Sequence, residues 1–142
     1  MTALVVDASV WVAATDPKAP HHAAAHGVLV EVAARQDTIF VPSLARVEVA
    51  CALRRRLADA DGALVQVQAF FSAPFIVEVA LDRAQADSAV RVGVEQRLSG
   101  ADAVYAALAR AEDAVLLTLD RELLERADGV SPEEWLRANP RA

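Results

Sequence analysis

The chain has 142 residues, 55% of them hydrophobic, one cysteine and a net charge of −6 at pH 7. That length supports one hydrophobic core without disulfide or metal staples, so a single domain over 1–142 is expected, and Cys51 has no partner for an internal disulfide. Charges interrupt every apolar run before the roughly 18 to 20 residues of a membrane span, and the acidic balance excludes a broad basic surface for phosphate contacts.

The first predicted element is the apolar run Ala3 to Val6, a buried strand ending at Asp7. No secretory leader is legible in it, so a cytoplasmic protein without a membrane partner is expected. Open α/β sheets place ligands at the carboxyl ends of strands, which makes Asp7 a candidate site residue. A helix over 8–15 follows, and either Asp7 or Ser9 could equally be its N-cap. The next helix, over 21–35, carries His21, His22 and His26. His22 and His26 lie one turn apart, but no acid or cysteine completes a zinc set nearby, so they read as solvated residues at a helix start.

Thr38 to Val41 predicts a second strand, and a helix over 43–57 contains Glu48, Cys51 and the cluster Arg54, Arg55, Arg56. Glu48 lies mid-helix, where capping cannot account for it, and its own face carries Leu44, Cys51 and Ala52 one turn away. A carboxylate there must be solvated at a cleft, paired with a cation such as Arg55, or bound to a metal. Cys51 itself is expected in the core. The arginines supply the local basic strip that an acidic chain would need to touch a polyanion, with Arg54 and Arg55 the candidates.

A helix over 61–71 precedes Phe75, and the aromatics Phe70, Phe71 and Phe75 are expected in the core rather than on a partner surface. Ile76 to Val79 predicts a third strand, followed by helices over 82–97 and 100–111. Asp102 stands in the first turn of the latter, where Ser99 and Asp102 fit a capping box and an acid suits the helix dipole. The apolar run from Ala103 to Ala109 packs that helix deeply, so its N-terminal end can still face a pocket. Val115 to Thr118 predicts a fourth strand, and Asp120 repeats the placement of Asp7 before a helix over 121–127, with an N-cap again the alternative. Val130 begins a candidate fifth strand, and a last helix runs over 132–138. Pro17, Pro20, Pro42, Pro74 and Pro132 fall at junctions and interrupt no helix interior.

Apolar strands separated by long helical stretches suit parallel pairing through helical crossovers. The expected fold class is a three-layer α/β domain, a central parallel sheet of four to five strands flanked by helices. If the two strand-end acids and the two helix acids converge, they cannot all stay ionised without cations. Mg²⁺ or Mn²⁺ suits such hard oxygen ligands, and two such ions about 3.5–4 Å apart can activate water against a phosphodiester.

The residues Val6-Asp7-Ala8-Ser9, Pro42-Ser43-Leu44 leading to Glu48, Leu98-Ser99-Gly100-Ala101-Asp102-Ala103 with Tyr105, Leu117-Thr118-Leu119-Asp120 and the closing Ser131-Pro132-Glu133-Glu134-Trp135-Leu136 together resemble the PIN-domain nucleases. The likeness is greatest to the VapC toxins of bacterial toxin–antitoxin pairs. It covers nearly the whole chain, and the order and spacing of the pieces make the combination specific. The resemblance implies Asp7, Glu48, Asp102 and Asp120 as metal-binding and catalytic acids, with Ser9 and Thr118 as supporting hydroxyls. It also implies Mg²⁺- or Mn²⁺-dependent cleavage of RNA, homodimerisation and inhibition by a cognate VapB-type antitoxin; for such an RNA the basic cluster itself offers Arg54 and Arg55 as candidate contacts. A receiver domain would need a late lysine, but the only lysine is Lys18; a haloacid-dehalogenase-type phosphatase would need an acid where Ser9 stands. A non-catalytic PIN-like binding module and a housekeeping RNA-processing nuclease are the remaining alternatives.

Overall fold

Four short strands, β1 (Leu4–Val6), β2 (Ile39–Pro42), β3 (Ile76–Val79) and β4 (Val115–Leu117), form one parallel sheet in the order β3-β2-β1-β4. The computed structural model describes residues 2–141, so Met1 and Ala142 of the expected domain lie outside the described residues. β1 is central and buried throughout, as its Leu-Val-Val sequence favours on a surface covered from both sides. β3 departs from the expectation of strands apolar on both faces: it is the edge strand, and Val77 and Glu78 are exposed. Glu78 pairs with Arg46 across that edge, a charged cover that discourages further strand pairing. The candidate fifth strand is a single parallel bridge, Val130 to Leu117. It stops there because Ser131 caps, and Pro132 begins, the next helix.

The helices are α1 (Ala8–Thr15), α2 (His22–Arg35), α3 (Leu44–Arg56), α4 (Ala60–Phe71), α5 (Arg83–Gln96), α6 (Gly100–Ala111), α7 (Arg121–Arg126) and α8 (Pro132–Ala138). The chain steps outward from β1 to β2 to β3 and then returns past them to β4. Because parallel crossovers are right-handed, that reversal puts α5 and α6 on the opposite face from α1 to α4. The packing agrees: α6 lies on β1, β2 and β4 and is covered by α5, whereas α1 packs on α2 and α3, α3 on α4, and α2 on α8.

Trp11 anchors the second group. Its indole N–H donates to the Val6 carbonyl at 3.1 Å, and its ring lies 5.0 Å from those of Phe70 and Phe71. Phe70, Phe71 and Phe75 therefore pack against the core, as expected. Cys51 does not: it is exposed. On α3 the buried stripe is Ala45, Val49 and Leu53, spaced by four, and a residue two places from Val49 points to the other side of the helix. No helix among the described residues is long and apolar enough to cross a membrane.

Candidate active site

The reversal of strand order between β1 and β4 opens a crevice at the carboxyl ends of those strands, where α/β sheets bind ligands. The register pairs Val6 with Leu117, so Asp7 leaves β1 directly beside Thr118. The Asp7 N–H closes the join on the Leu117 carbonyl at 2.9 Å. Asp7 is 6% exposed, and its backbone occupies the N-cap of α1 without a side-chain capping bond. Its Oδ2 instead accepts from Ser9 Oγ at 2.7 Å and Thr118 Oγ1 at 2.9 Å.

Both hydroxyls work twice. Thr118 Oγ1, fully buried, also accepts the Asp120 N–H at 2.9 Å, and Ser9 Oγ accepts the Leu119 N–H at 3.0 Å. They thereby lock the loop after β4 to the start of α1, with the Asp7 carboxylate between them. Burial raises the Asp7 carboxyl above the ordinary aspartate range; bonds from Ser9, Thr118 and the Ala8 amide oppose this, and the Asp120 charge adds to it.

Asp120 is a true N-cap of α7. Its Oδ1 accepts the N–H groups of Glu122 at 2.9 Å and Leu123 at 3.3 Å, so one oxygen is committed and the capping alternative holds for it. Asp102 is different. Ser99 takes the N-cap backbone position of α6 but makes no side-chain capping bond, so the expected capping box is absent. The Ser99 hydroxyl faces the Asp102 carboxylate instead. Burial, then the charge of Asp120, lift Asp102 to about 6, with Asp7 and Glu122 adding smaller pushes and the Ser99 bond opposing them.

Glu48 is half-buried on α3 and makes no ion pair with Arg55 among the described residues. Its Oε1 accepts the phenolic O–H of Tyr105 at 2.7 Å, a bond from α6 on the other side of the sheet. Burial raises the Glu48 carboxyl, the Tyr105 bond lowers it, and the Asp7 charge raises it further. Tyr105 is pushed up in turn by burial and by Glu48.

Sequence reasoning missed two members of this constellation. Tyr105 appeared only as part of a motif, although a phenol in an otherwise apolar helix needs a buried partner. Glu122 was passed over, yet oxygens of Asp102, Asp120 and Glu122 all lie within 4.8 Å of one another. Its signal was an acid two residues after Asp120, in the same first helical turn. Asp7 and Glu48 stand outside that group of three, but the Asp7 charge is felt by both Asp102 and Glu48. Asp7 is thus coupled by charge to Asp120, Asp102 and Glu48. Crowded carboxylates, three of which (Asp7, Glu48 and Asp102) are raised in proton affinity, are a donor set that fits a hard divalent cation.

Beside Glu48 and Ser9 a cleft of about 650 Å³ runs between α1 and α3. Arg55 and Arg56 line it. Arg54 does not, and its guanidinium donates to the Leu57 carbonyl at 3.1 Å. Two of the histidines are held by protein groups: His21 pairs with Glu133 at 2.7 Å and His22 Nδ1 lies 2.8 Å from the Ala13 carbonyl.

Comparison with known proteins matches residues 4–130 to the PIN domain. Among solved structures, PAE2754 from Pyrobaculum aerophilum is similar at 25% identity and TM-score 0.73, over 96% of this chain and 88% of that one. Mycobacterium tuberculosis VapC20, a sarcin-ricin loop cleaving toxin, superposes at 19% identity and TM-score 0.70, over 86% and 93% of the two chains. VapBC2 from Rickettsia felis, solved with a DNA fragment from its promoter, does so at 14% identity and TM-score 0.69, over 92% and 97%. No curated protein matches the sequence.

Proposed function

The chain belongs to the PIN-domain family, and from that premise we propose that it is a metal-dependent endoribonuclease, the toxin of a VapBC-type pair, acting in the cytoplasm. The observation that carries this reading is the clustering of Asp7, Glu48, Asp102 and Asp120 at the reversal of strand order, each held by a different element.

In this reading Asp7 is the central ligand, oriented by Ser9 and Thr118 so that its carboxylate cannot rotate away. Asp102 and Asp120, with Glu122 beside them, would hold the cation together with Asp7, and Glu48, oriented by Tyr105, would add a further carboxylate. When bound, Mg²⁺ or Mn²⁺ supplies Lewis-acid activation of the attacking water and charge for the leaving oxygen. The chain's own residues fix the geometry: Ser9 and Thr118 orient Asp7, Tyr105 orients Glu48, and the packing of α6 on β1 and β4 sets the spacing of the acids. Arg55, which lines the cleft where Arg54 does not, is the arginine proposed to touch the RNA.

Two partners belong to the reading. A VapB-type antitoxin is supported by the likeness to the Rickettsia felis VapBC2 structure. A homodimer is supported by α5, whose Val90 and Val94 are 65% and 78% exposed beside the apolar groove of Leu81, Leu98 and Val104. The whole 142-residue chain is taken as one nuclease unit. The test is RNA cleavage by purified protein with Mg²⁺ or Mn²⁺, with chelator and with Asp7→Asn and Asp102→Asn as controls. Cleavage that needs the metal and both aspartates is expected; RNA left intact, with no carboxylate-dependent metal binding by calorimetry, would refute the enzyme.

A further inference from the structure

We propose that the cleft between α1 and α3 seats one unstacked nucleoside of the RNA beside the cleavage site, with Arg55 holding an adjoining phosphate. The inference rests on the ribonuclease reading and adds to it a binding subsite and its selectivity.

The cleft's volume, about 650 Å³, lies in the range of sites that enclose small ligands, about 300–1,000 Å³. Its walls are largely apolar: Val12 and Ala13 from α1, Pro20 from the following loop, Val47 and Cys51 from α3. At its inner end stand Ser9 and Glu48, members of the acidic centre, so whatever fills it lies next to the scissile bond. Both inner groups are engaged, Ser9 by Asp7 and Leu119 and Glu48 by Tyr105.

The basic lining completes the argument. Arg56 is held by Asp16 at 2.7 Å and His21 by Glu133 at 2.7 Å. Arg55 forms no ion pair among the described residues and lines the cleft with an exposed side chain. It lies seven residues, about 10 Å along the helix, beyond Glu48, which suits a neighbouring phosphate rather than the one being cut. In a chain of net charge −6, an unpaired guanidinium at the mouth of a cleft that ends at Glu48 is a point of charge complementarity to a polyanion. Single-stranded RNA is bound by stacking splayed bases on aromatic rings or guanidinium planes, with cations on its backbone; here Arg55 supplies the cation, and aliphatic side chains with His21 form the wall. Because the walls are apolar and the inner polar groups are already bonded, the subsite reads the presence and shape of a base more than its identity.

The experiment uses the non-cutting Asp7→Asn protein and a short, fluorescent, mixed-sequence single-stranded RNA, titrated at several salt concentrations. Arg55→Gln is expected to reduce the slope of log K against log salt by about 0.7, the share of one phosphate contact on a single strand. Arg55→Lys keeps the slope, and Arg54→Gln leaves it unchanged. An abasic residue walked along the RNA weakens binding at one position, and Cys51→Phe, which fills the cleft from an exposed position, removes that sensitivity. In otherwise wild-type protein, Arg55→Gln raises KM up to about five-fold with kcat little changed, the scale of one exposed charge contact. An unchanged salt slope in Arg55→Gln, or an abasic effect at no position, overturns the subsite while normal cleavage leaves the nuclease standing. Arg55→Gln that weakens antitoxin binding but not RNA binding assigns the cleft to a polypeptide and overturns it as well. RNA neither bound nor cut by any form defeats both readings.

Discussion

Replacing Tyr105 with phenylalanine removes the single atom through which α6 reaches Glu48. The ring is fully buried, and phenylalanine fills the same space, so no cavity beyond the hydroxyl is created. What is lost is an O–H···O⁻ bond of 2.7 Å, and bonds to charged groups contribute about 1.5–3 kcal/mol. Glu48 is only half-buried and recovers some solvation, so the lower end, about 1.5 kcal/mol, is expected.

The cost depends on pH in a defined direction. The Tyr105 bond favours ionised Glu48 and opposes the rise that burial imposes, so its loss drives the Glu48 carboxyl higher still. The full destabilisation appears where Glu48 is ionised in both proteins and shrinks as pH falls through its folded pKa, leaving only a neutral hydrogen bond to lose. Urea unfolding of the metal-free proteins near neutrality and at about pH 4 measures both values. A cycle with Glu48→Gln isolates the pair. Catalysis should suffer too, by about ten-fold in kcat/KM for each 1.4 kcal/mol of lost positioning. Equal stability of Tyr105→Phe and wild type, or a cost that is the same at both pH values, would make Tyr105 a core ring and nothing more.

Thr118→Val keeps the shape of a fully buried side chain but removes the donor to Asp7 and the acceptor of the Asp120 N–H. A loss of about 1–3 kcal/mol is expected, with Thr118→Ser recovering most of it in thermal denaturation. Metal-free protein should lose stability as pH rises from Asp102's ordinary range, near 3.8, through about 6, because the folded state there holds more protons than the unfolded state. The full shift is equivalent to about 3 kcal/mol, and solvent screening of this partly open carboxylate reduces the effect to about 1 kcal/mol. Calorimetry across that window should show Asp102→Asn flattening the slope and Mg²⁺ or Mn²⁺ stabilising most at the alkaline end; a slope of the opposite sign, unchanged in Asp102→Asn, would contradict the electrostatics. Val94→Asp, at a position 78% exposed, should leave monomer stability within about 0.5 kcal/mol and shift the sedimentation of the proposed dimer to that of a monomer, whereas an unchanged mass would move the interface elsewhere.

Much of the fold was legible along the chain because its signals are local. The apolar runs at Leu4–Val6, Ile39–Pro42, Ile76–Val79 and Val115–Leu117 needed only hydrophobic pattern and bounding helices. Their ends moved by a residue or so, as at Thr118, which leaves the ladder to bond Asp7 and Asp120. Expectations failed where an outcome depended on what lay opposite. Cys51 looked buried among apolar neighbours, yet the face of α3 that meets the core is the one two residues away. β3 looked like any other strand until the sheet order left it at the edge.

The acids show the same division. The sequence alone marked Asp7, Glu48, Asp102 and Asp120 as candidates, because residue type, position after a strand and the lack of any capping role for Glu48 are properties of a short stretch of chain. Only the tertiary structure decided which roles their side chains take: Asp120 caps α7, Ser99 and Asp102 form no capping box, and Asp7 is gripped by hydroxyls from two segments 109 residues apart. It alone brought in Tyr105 and Glu122, and separated Arg55 from Arg54 by the roughly 100° between consecutive residues of one helix. The physical reason is that burial, charge coupling and hydrogen bonds between distant segments depend on strand order, and strand order is settled by how crossovers pack around one core rather than by any residue's neighbours in sequence.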